Sequence, residues 1–452
     1  MRVLLISTYE LGHQPLHVAS PAAALREEGH DVRCLDLSVE SWEPQLTAWP
    51  DAVGFSVPMH TAMRLARRAA AAIRSARPGI PVCFYGLYAP MERDRSVEEL
   101  ADYVIAGEYE PALIEWARRV ASGDSDNDAP DTPVVQLGRS RFSVPARDLL
   151  PALDRYAHLA LDGEERPVGY VEASHGCVHR CRHCPVPVVY DGRIRVVQEQ
   201  VVAEDIDRLV EAGARHITFG DPDFLNGVRH SLRVVAAMHD RHNGLTFDCT
   251  TKVEHILEYP EIWDELADAG CLFVVSALES VNDATLTRLD KGHTTAEAAE
   301  AIALLRSHGI EVRPSFLPFT PWTTLDDVAD ILDFVSEHDL VGNVDPIQYA
   351  IRLLIPEGSL LLGDTDLHSQ LGPYDRDLLT YRWEAIDPLV DHLHVQLTKI
   401  VTDDAAAGEP ISDTYRRVAT AVYGAASRPE PPDLVPAGSV EGRPRLTEPW
   451  FC

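Results

Sequence analysis

Positive charge and long apolar runs are what this sequence has least of. Across 452 residues, 40 Lys and Arg face 71 Asp and Glu, for a formal charge of −31. So acidic a surface repels phosphate backbones and anionic headgroups, which argues against nucleic acid as a partner. Lysine stands only at Lys252, Lys291 and Lys399, and every other basic residue is arginine. No apolar run approaches the ~18 residues of a membrane span. The opening MRVLLISTYE lacks the long apolar region and small-residue cleavage site of a signal peptide. The expectation is a cytoplasmic protein with no membrane partner, in which eight cysteines are thiols or metal ligands before they are disulfides.

What is present is an ordinary globular composition, 45% hydrophobic and 25% charged, which rules out disorder throughout and fibrous repeats. The length exceeds one compact core and predicts two domains plus a tail. From Met1 to Ser122 short β-rich runs (VLLIST, DVRCLDL, AVGFS, PVCFYG, DYVIAG) alternate with helical ones (PAAALREEG, TAMRLARRAAAAIRSAR, PALIEWARRV). Such alternation predicts an open, doubly wound parallel sheet, whose ligands sit at the carboxyl ends of its strands. Those ends carry Ser7, Thr8, Ser56, Tyr85, Gly86, Gly107 and Glu108.

The acidic, polar stretch SGDSDNDAPDT has nothing to bury and reads as a linker. Beyond it, six strand-like runs (GYVEAS, RHITFG, LTFDCTT, CLFVVSA, EVRPSFL, VDPIQYAI) are separated by amphipathic stretches. Six βα units predict a partial barrel rather than a full eight-fold one. After Asp364 the segments YDRDLLTYRW, VDHLHVQLTKIVTDD and ISDTYRRVATAVYGA read as helices, followed by a Pro-rich arm.

Cys177, Cys181 and Cys184 follow directly on the first strand of the second series, in SHGCVHRCRHC. Three thiolates on one short loop can hold three irons of a [4Fe-4S] cluster and leave the fourth without a protein ligand. A structural zinc site is the other reading, with His175, His179 or His183 as the fourth ligand.

The Cys-x3-Cys-x2-Cys loop resembles that of the radical S-adenosylmethionine (SAM) enzymes, with His183 where that family often has an aromatic residue. GDPDF (220–224) is similar to an Asp-containing form of the family's Gly-rich segment. SALESV with LDKGHT, and GIEVRPSFLPFTPWTTLDDV (309–328), resemble the branch that carries a cobalamin domain, although Phe319 replaces an expected Gly. The resemblance implies a [4Fe-4S] cluster and SAM as cofactors, a reductant such as flavodoxin or ferredoxin, and radical chemistry on a small molecule or peptide. It implies carboxylates and polar groups around SAM. The candidates are Asp221, Asp223, Ser276, Glu279, Lys291, Arg313 and Gln348. For each, a turn, a cap or a satisfied core polar group is the alternative.

The first domain resembles the cobalamin (B12)-binding domain that precedes many radical SAM barrels, through PAAALREEGHDVRCLDL, AVGFSVPMHTA, VCFYGLYAP and DYVIAGEYEPALIEWARRV. No Asp-x-His-x-x-Gly motif is present, so no motif histidine ligates cobalt; His13, His17, Tyr85 and Tyr88 lie where they could approach it. Tyr85-Gly86-Leu87-Tyr88 is bulkier than the family's Gly-Gly pair, where close backbone approach is needed. Cobalamin bound and cobalamin lost both stay open. The closing TEPWFC and the opening MRVLLISTYELG are similar to a group of radical SAM (seleno)proteins with Cys-selenocysteine-Ala-Glu-Pro or Cys-Cys-Ala-Glu-Pro tails. That likeness implies Cys452 as the start of such a tail, cut at a UGA codon, against a genuine terminal cysteine.

The expected fold class is α/β: a Rossmann-like, B12-binding type sheet (1–122), a linker (123–165), a partial (β/α)6 radical SAM barrel (166–364) and a mostly helical extension (365–452). Three functions follow. The first is a radical SAM enzyme, with cobalamin-dependent C-methylation as one outcome. The second is a cobalamin-free enzyme for sulfur or selenium chemistry or rearrangement. The third is a non-catalytic iron-sulfur or cobalamin sensor.

Overall fold

A computed structural model describes residues 1–43, 46, 48–91, 100–123, 134–138, 141–431, 434–435, 438, 440 and 442–448. The acidic stretch 124–133 and the tail residues 449–452 lie outside the described residues, and with them Cys452.

The alternating N-terminal runs form the expected parallel sheet. Strands β1 (Arg2–Ser7), β2 (Asp31–Asp36), β3 (Ala52–Ser56), β4 (Val82–Tyr85), β5 (Tyr103–Gly107) and β6 (Val134–Gln136) lie in the order 2-1-3-4-5-6. Successive side chains of a strand serve opposite faces. Val3 and Leu5 pack with Val18, Leu113 and Trp116 of the helices Leu16–Glu27 and Glu110–Ser122. Leu4 and Ile6 pack with Met63, Ala66 and Ala70 of the helix His60–Ala76. Strand order reverses at β1, so the crevice between the carboxyl ends of β1 and β3 is the ligand position of such a sheet. β6 extends the sheet into the segment read as linker.

Strands β7 (His158–Leu161) and β8 (Glu164–Val171) open the second sheet, and β9 (Ser174–Gly176) pairs with β10 (Ile194–Val196) in a separate hairpin. β11 (His216–Phe219), β12 (Thr246–Thr250), β13 (Cys271–Glu279) and β14 (Glu311–Phe316) continue the second sheet in parallel with β8. A hairpin of β15 (Leu371–Asp375) and β16 (Thr380–Trp383) follows. A last strand, β17 (Arg445–Leu446), gives the order 14-13-12-11-8-7-17. Ile217, Phe219, Phe247, Val274 and Val312 join the helix-side core. The alternate positions Val168, Tyr170, His216, Asp248 and Phe273 line the other, concave face.

Two sequence expectations are corrected. VDPIQYAI, read as the sixth barrel strand, is a short 3-10 helix, Pro346–Ala350. Pro346 has no N–H to give a ladder, and the Gln348 side chain instead accepts from the backbone of Phe316, 3.1 Å away, at the edge of β14. YDRDLLTYRW, read as helix, is the β15–β16 hairpin: Asp375 accepts from the backbone N–H groups of Asp377 and Leu378 at 3.0 Å, an Asx-type turn. The other two C-terminal helices form as read, Pro388–Ala407 and Ile411–Ala426.

Residues 442–448 of the Pro-rich arm pack against the second sheet. Arg443 pairs with Glu311 and Asp339, and Arg313 donates to the carbonyl of Pro444 at 3.2 Å. Leu446 then packs on Leu159, Val168 and Phe273. Among the described residues, no helix is long and apolar enough to cross a membrane.

Candidate active site

The three clustered cysteines hang from the carboxyl end of β8. Gly176 turns the chain into Cys177 with φ 78°, and a Cβ there would meet the carbonyl of Arg193 and the ring of Tyr190. Cys177 and Cys181 are buried, Cys184 is half-buried, and none is in a disulfide. The backbone N–H of Cys184 donates to the carbonyl of Cys181 at 3.2 Å. Burial pushes the Cys184 thiol up to about 12, and the neighbouring Cys181 and Cys177 sulfurs add to this. Burial likewise raises Cys177. Buried thiols such as Cys177 and Cys184, which disfavour ionisation on their own, become thiolates when a bound cation compensates the charge, as an iron-sulfur cluster would.

The histidines that would complete a zinc site face carboxylates instead. His175 Nδ1 lies 3.1 Å from Glu108, His183 Nε2 lies 3.0 Å from Glu279, and His179 Nδ1 lies 3.4 Å from Glu254. The donor set at the cysteines is therefore three sulfurs, which fits a cluster with one open iron better than four-coordinate zinc.

Of the predicted polar residues, Glu279 and Lys291 come together beside the cysteine loop. Glu279 accepts from Lys291 Nζ at 3.4 Å and faces His183 at 3.0 Å. Its backbone is left-handed, φ 64°, at an irregularity in the β13–β14 ladder. A non-glycine residue held there is strained, and such strain collects at functional sites. Burial disfavours its charge, but Lys291 and His183 outweigh that and pull its pKa down to about 2.

Asp221 accepts from the hydroxyl of Ser174 at 2.6 Å and the N–H of Ala173 at 2.9 Å, tying the β11 turn to the start of the cysteine loop. Burial, only partly offset by these bonds, raises its pKa to about 7. Asp223 is fully buried; one oxygen caps the N–H of Leu225 at 3.1 Å and the other faces His255. Ser276, Arg313 and Gln348 lie apart from this group. Ser276 shares its strand face with Val274 and Leu278 of the helix-side core. Arg313 pairs with Asp345 at 2.8 Å, and Gln348 is used on β14.

Facing the cysteine loop, the N-terminal sheet presents its switch point. A cavity of about 190 Å³ lies between the two sheets, lined among others by Glu10, Met59, Gly86, Gly107, Tyr109 and Gly220. His17 Nε2 lies 3.2 Å from Glu172, whose other oxygen is 3.3 Å from His175 Nε2. Glu108 completes the row and also accepts from Tyr190 at 3.0 Å. Burial opposes the charge on His17, but Glu172 and Glu10 overcome it and raise its pKa to about 9. Glu172 itself resists burial through His17 and His175 and is held at about 2. His17 and His175 are thus both engaged by carboxylates, and Tyr85 is fully buried with its hydroxyl donating to the carbonyl of His17, 3.0 Å away. His13 lies over the concave face of the second sheet, against Tyr170 at 4.8 Å between ring centres, and Tyr88 packs on His60.

Glu108 is legible in the sequence as a strand-end acid, whereas His255 sits in a helical run with no local signal. Glu172 carries the signal that marked Glu279, an acid directly after an apolar strand. Gly86 and Gly107, both with positive φ, bring bare backbone to the crevice at the ends of β4 and β5, while the cavity is smaller than a whole corrinoid.

Residues 171–335 match the Radical SAM superfamily and residues 2–117 the B12 binding domain. The hopanoid C-3 methylase of Methylococcus capsulatus is 25% identical over 329 residues, 68% of this chain and 62% of the relative. The chain therefore spans about three fifths of that protein's length. Two solved structures share the fold. One is the cobalamin-dependent SAM radical enzyme OxsB with aqua-cobalamin and SAM bound (17% identity, TM-score 0.69, covering 89% of this chain and 66% of that one). The other is the radical SAM methyltransferase TsrM of Kitasatospora setae (20%, 0.60, covering 75% and 71%).

Proposed function

We propose, on the premise that the chain belongs to the radical SAM superfamily and carries an N-terminal B12-binding domain, that it transfers a methyl group to an unreactive carbon of a small molecule or peptide. The observation that carries this is the juxtaposition of two sites: residues on either side of the three-cysteine loop, Gly176 before it and Val186 and Tyr190 after it, wall the same cavity as Glu10, Met59 and Gly107 at the strand ends of the first sheet. Cys177, Cys181 and Cys184 would hold a cluster that, fed by a reductant such as flavodoxin or ferredoxin, would supply the electron that splits SAM, and a corrinoid in the crevice would supply a methyl carrier.

The chain's own residues do the rest. Cys177, Cys181 and Cys184 hold three irons. Glu279, kept ionised by Lys291, is the carboxylate for the cationic side of SAM, and Asp221 braces the start of the cysteine loop through Ser174 and Ala173. Glu108, His175, Glu172 and His17 fix the charge pattern across the domain boundary, so the reacting groups meet a preorganised wall rather than water. Tyr85, buried under the crevice, supports a second reading in which the fold is kept without cobalamin.

Anaerobic reconstitution decides between them. The expected result is about four irons per chain, lost when the three cysteines are changed to Ala, with SAM cleaved to 5′-deoxyadenosine or S-adenosylhomocysteine and with hydroxocobalamin co-eluting with the protein. A cluster with SAM cleavage but no corrinoid retained would establish the second reading. A cluster with no SAM cleavage under strong reductant would overturn both in favour of a sensor.

A further inference from the structure

We infer that His179, Asp223 and His255 form a second metal site, separate from the cysteines, that takes one zinc-like first-row divalent cation. The three residues come from three places: the cysteine loop, the turn after β11, and the helix Val253–Glu258. Each offers one ligand atom, and these atoms lie within 4.8 Å of one another. Asp223 Oδ2 is 2.8 Å from His255 Nδ1 and 3.6 Å from His179 Nε2.

Burial and direction separate this group from an ordinary ion pair. Asp223 is fully buried and the His255 side chain is 8% exposed. Asp223 Oδ2, His255 Nδ1 and His179 Nε2 are all shielded from solvent, and none has a hydrogen bond of acceptable geometry. Three polar atoms pointed at one another without an aligned proton between them are costly, and a cation at their centre removes the cost. Bonds of about 2.0–2.1 Å in a tetrahedron put ligand atoms about 3.4 Å apart. The 3.6 Å pair already matches, and the 2.8 Å pair needs to open slightly.

The surroundings select the metal and orient the ring. Two imidazoles and one carboxylate suit zinc and its first-row neighbours rather than magnesium or calcium. Glu254 Oε2, 3.4 Å from His179 Nδ1, is placed to accept from an N–H at that nitrogen, the tautomer that leaves Nε2 free to ligate. Lys252 holds Glu254 in turn at 3.3 Å. A metal there would fasten the loop between Cys177 and Cys181 to two neighbouring segments.

Cobalt(II) serves as the probe. Full-length protein with its iron cluster reconstituted and loose metal removed by a chelator is titrated with CoCl2 under argon. The expected result is one cobalt per chain beyond the iron, with ligand-field bands but no sulfur-to-cobalt charge transfer, displaced by ZnSO4. His255→Gln and Asp223→Asn each weaken it by more than about 100-fold and Glu254→Gln by about tenfold, while iron content stays at the wild-type level. No cobalt beyond the iron, equal cobalt in wild type and His255→Gln, or bands with thiolate charge transfer that vanish with Cys177→Ala would each overturn the site. Should Asp223→Asn fail to fold, His255→Gln, whose ring borders Tyr259 near the surface, decides alone. Because the readout is metal stoichiometry, its failure leaves the methyl-transfer reading untouched.

Discussion

Glu279 and Lys291 form a buried ion pair, Oε1 to Nζ 3.4 Å, that joins the end of β13 to the Leu-Asp-Lys-Gly turn beside the cysteine loop. Only 3% of the lysine side chain is exposed, so neither charge is comfortable without the other. Glu279→Gln is expected to lose about 3–5 kcal/mol of stability, the usual cost of stranding one buried charge, and to lower SAM cleavage while iron content holds. Thermal melting and 5′-deoxyadenosine formation check this; a variant with wild-type values in both would show the pair to be idle.

Gly176 is the hinge of the cysteine loop, and its left-handed backbone has no room for a side chain. Gly29 shares the conformation, φ 83°, but has open space around it. Gly29→Ala is expected to cost about 1 kcal/mol of backbone strain and nothing in iron. Gly176→Ala has to move the Arg193 carbonyl or the Tyr190 ring, and should reduce reconstituted iron by at least half. Iron-to-protein ratios of the two variants, measured side by side, decide it.

The His17–Glu172 contact makes stability depend on pH. The folded His17 pKa, about 9, lies above its ordinary 6.5. The contribution is therefore complete below pH 6.5 and is lost as pH rises through about 9. The melting-temperature gap between wild type and His17→Gln should be widest near pH 6 and close by about pH 10. A gap that stays constant over this range would mean that the ring is neutral throughout. On the acid side His13, lowered to about 4 chiefly by burial, opposes folding as pH falls below 6.5.

Arg147 joins the two sheets. Its guanidinium meets Asp205 at 3.0 and 2.8 Å and also donates to the carbonyls of Tyr170 and Gln14. Arg147→Met leaves a buried carboxylate and two carbonyls without a donor, and a loss of about 3–5 kcal/mol is expected in urea unfolding. The double variant Arg147→Met/Asp205→Asn should recover part of that loss. Full additivity would argue against direct coupling.

Much of the fold was legible because its signals are local. Apolar runs with helices between them identified all five of the strands expected in the first domain, and the Cys-x3-Cys-x2-Cys spacing located the three-thiol loop. The errors came where a local signal competed with a tertiary partner. The run VDPIQYAI has strand-like residues, but Pro346 blocks the ladder and Gln348 takes its place on β14. The run YDRDLLTYRW carries helix formers, but an Asp375 turn and the Tyr374–Tyr381 contact, 5.1 Å between ring centres, make it a hairpin.

By itself the sequence determined the alternation of strand and helix and the three thiols on one loop, since each depends on residues close together in the chain. Only the tertiary structure decided which carboxylate meets which base. Glu172 and His17, Glu279 and Lys291, Asp223 and His255 are partners because the curled sheet brings separate strand ends to one rim, and separation along the chain carries no record of that distance.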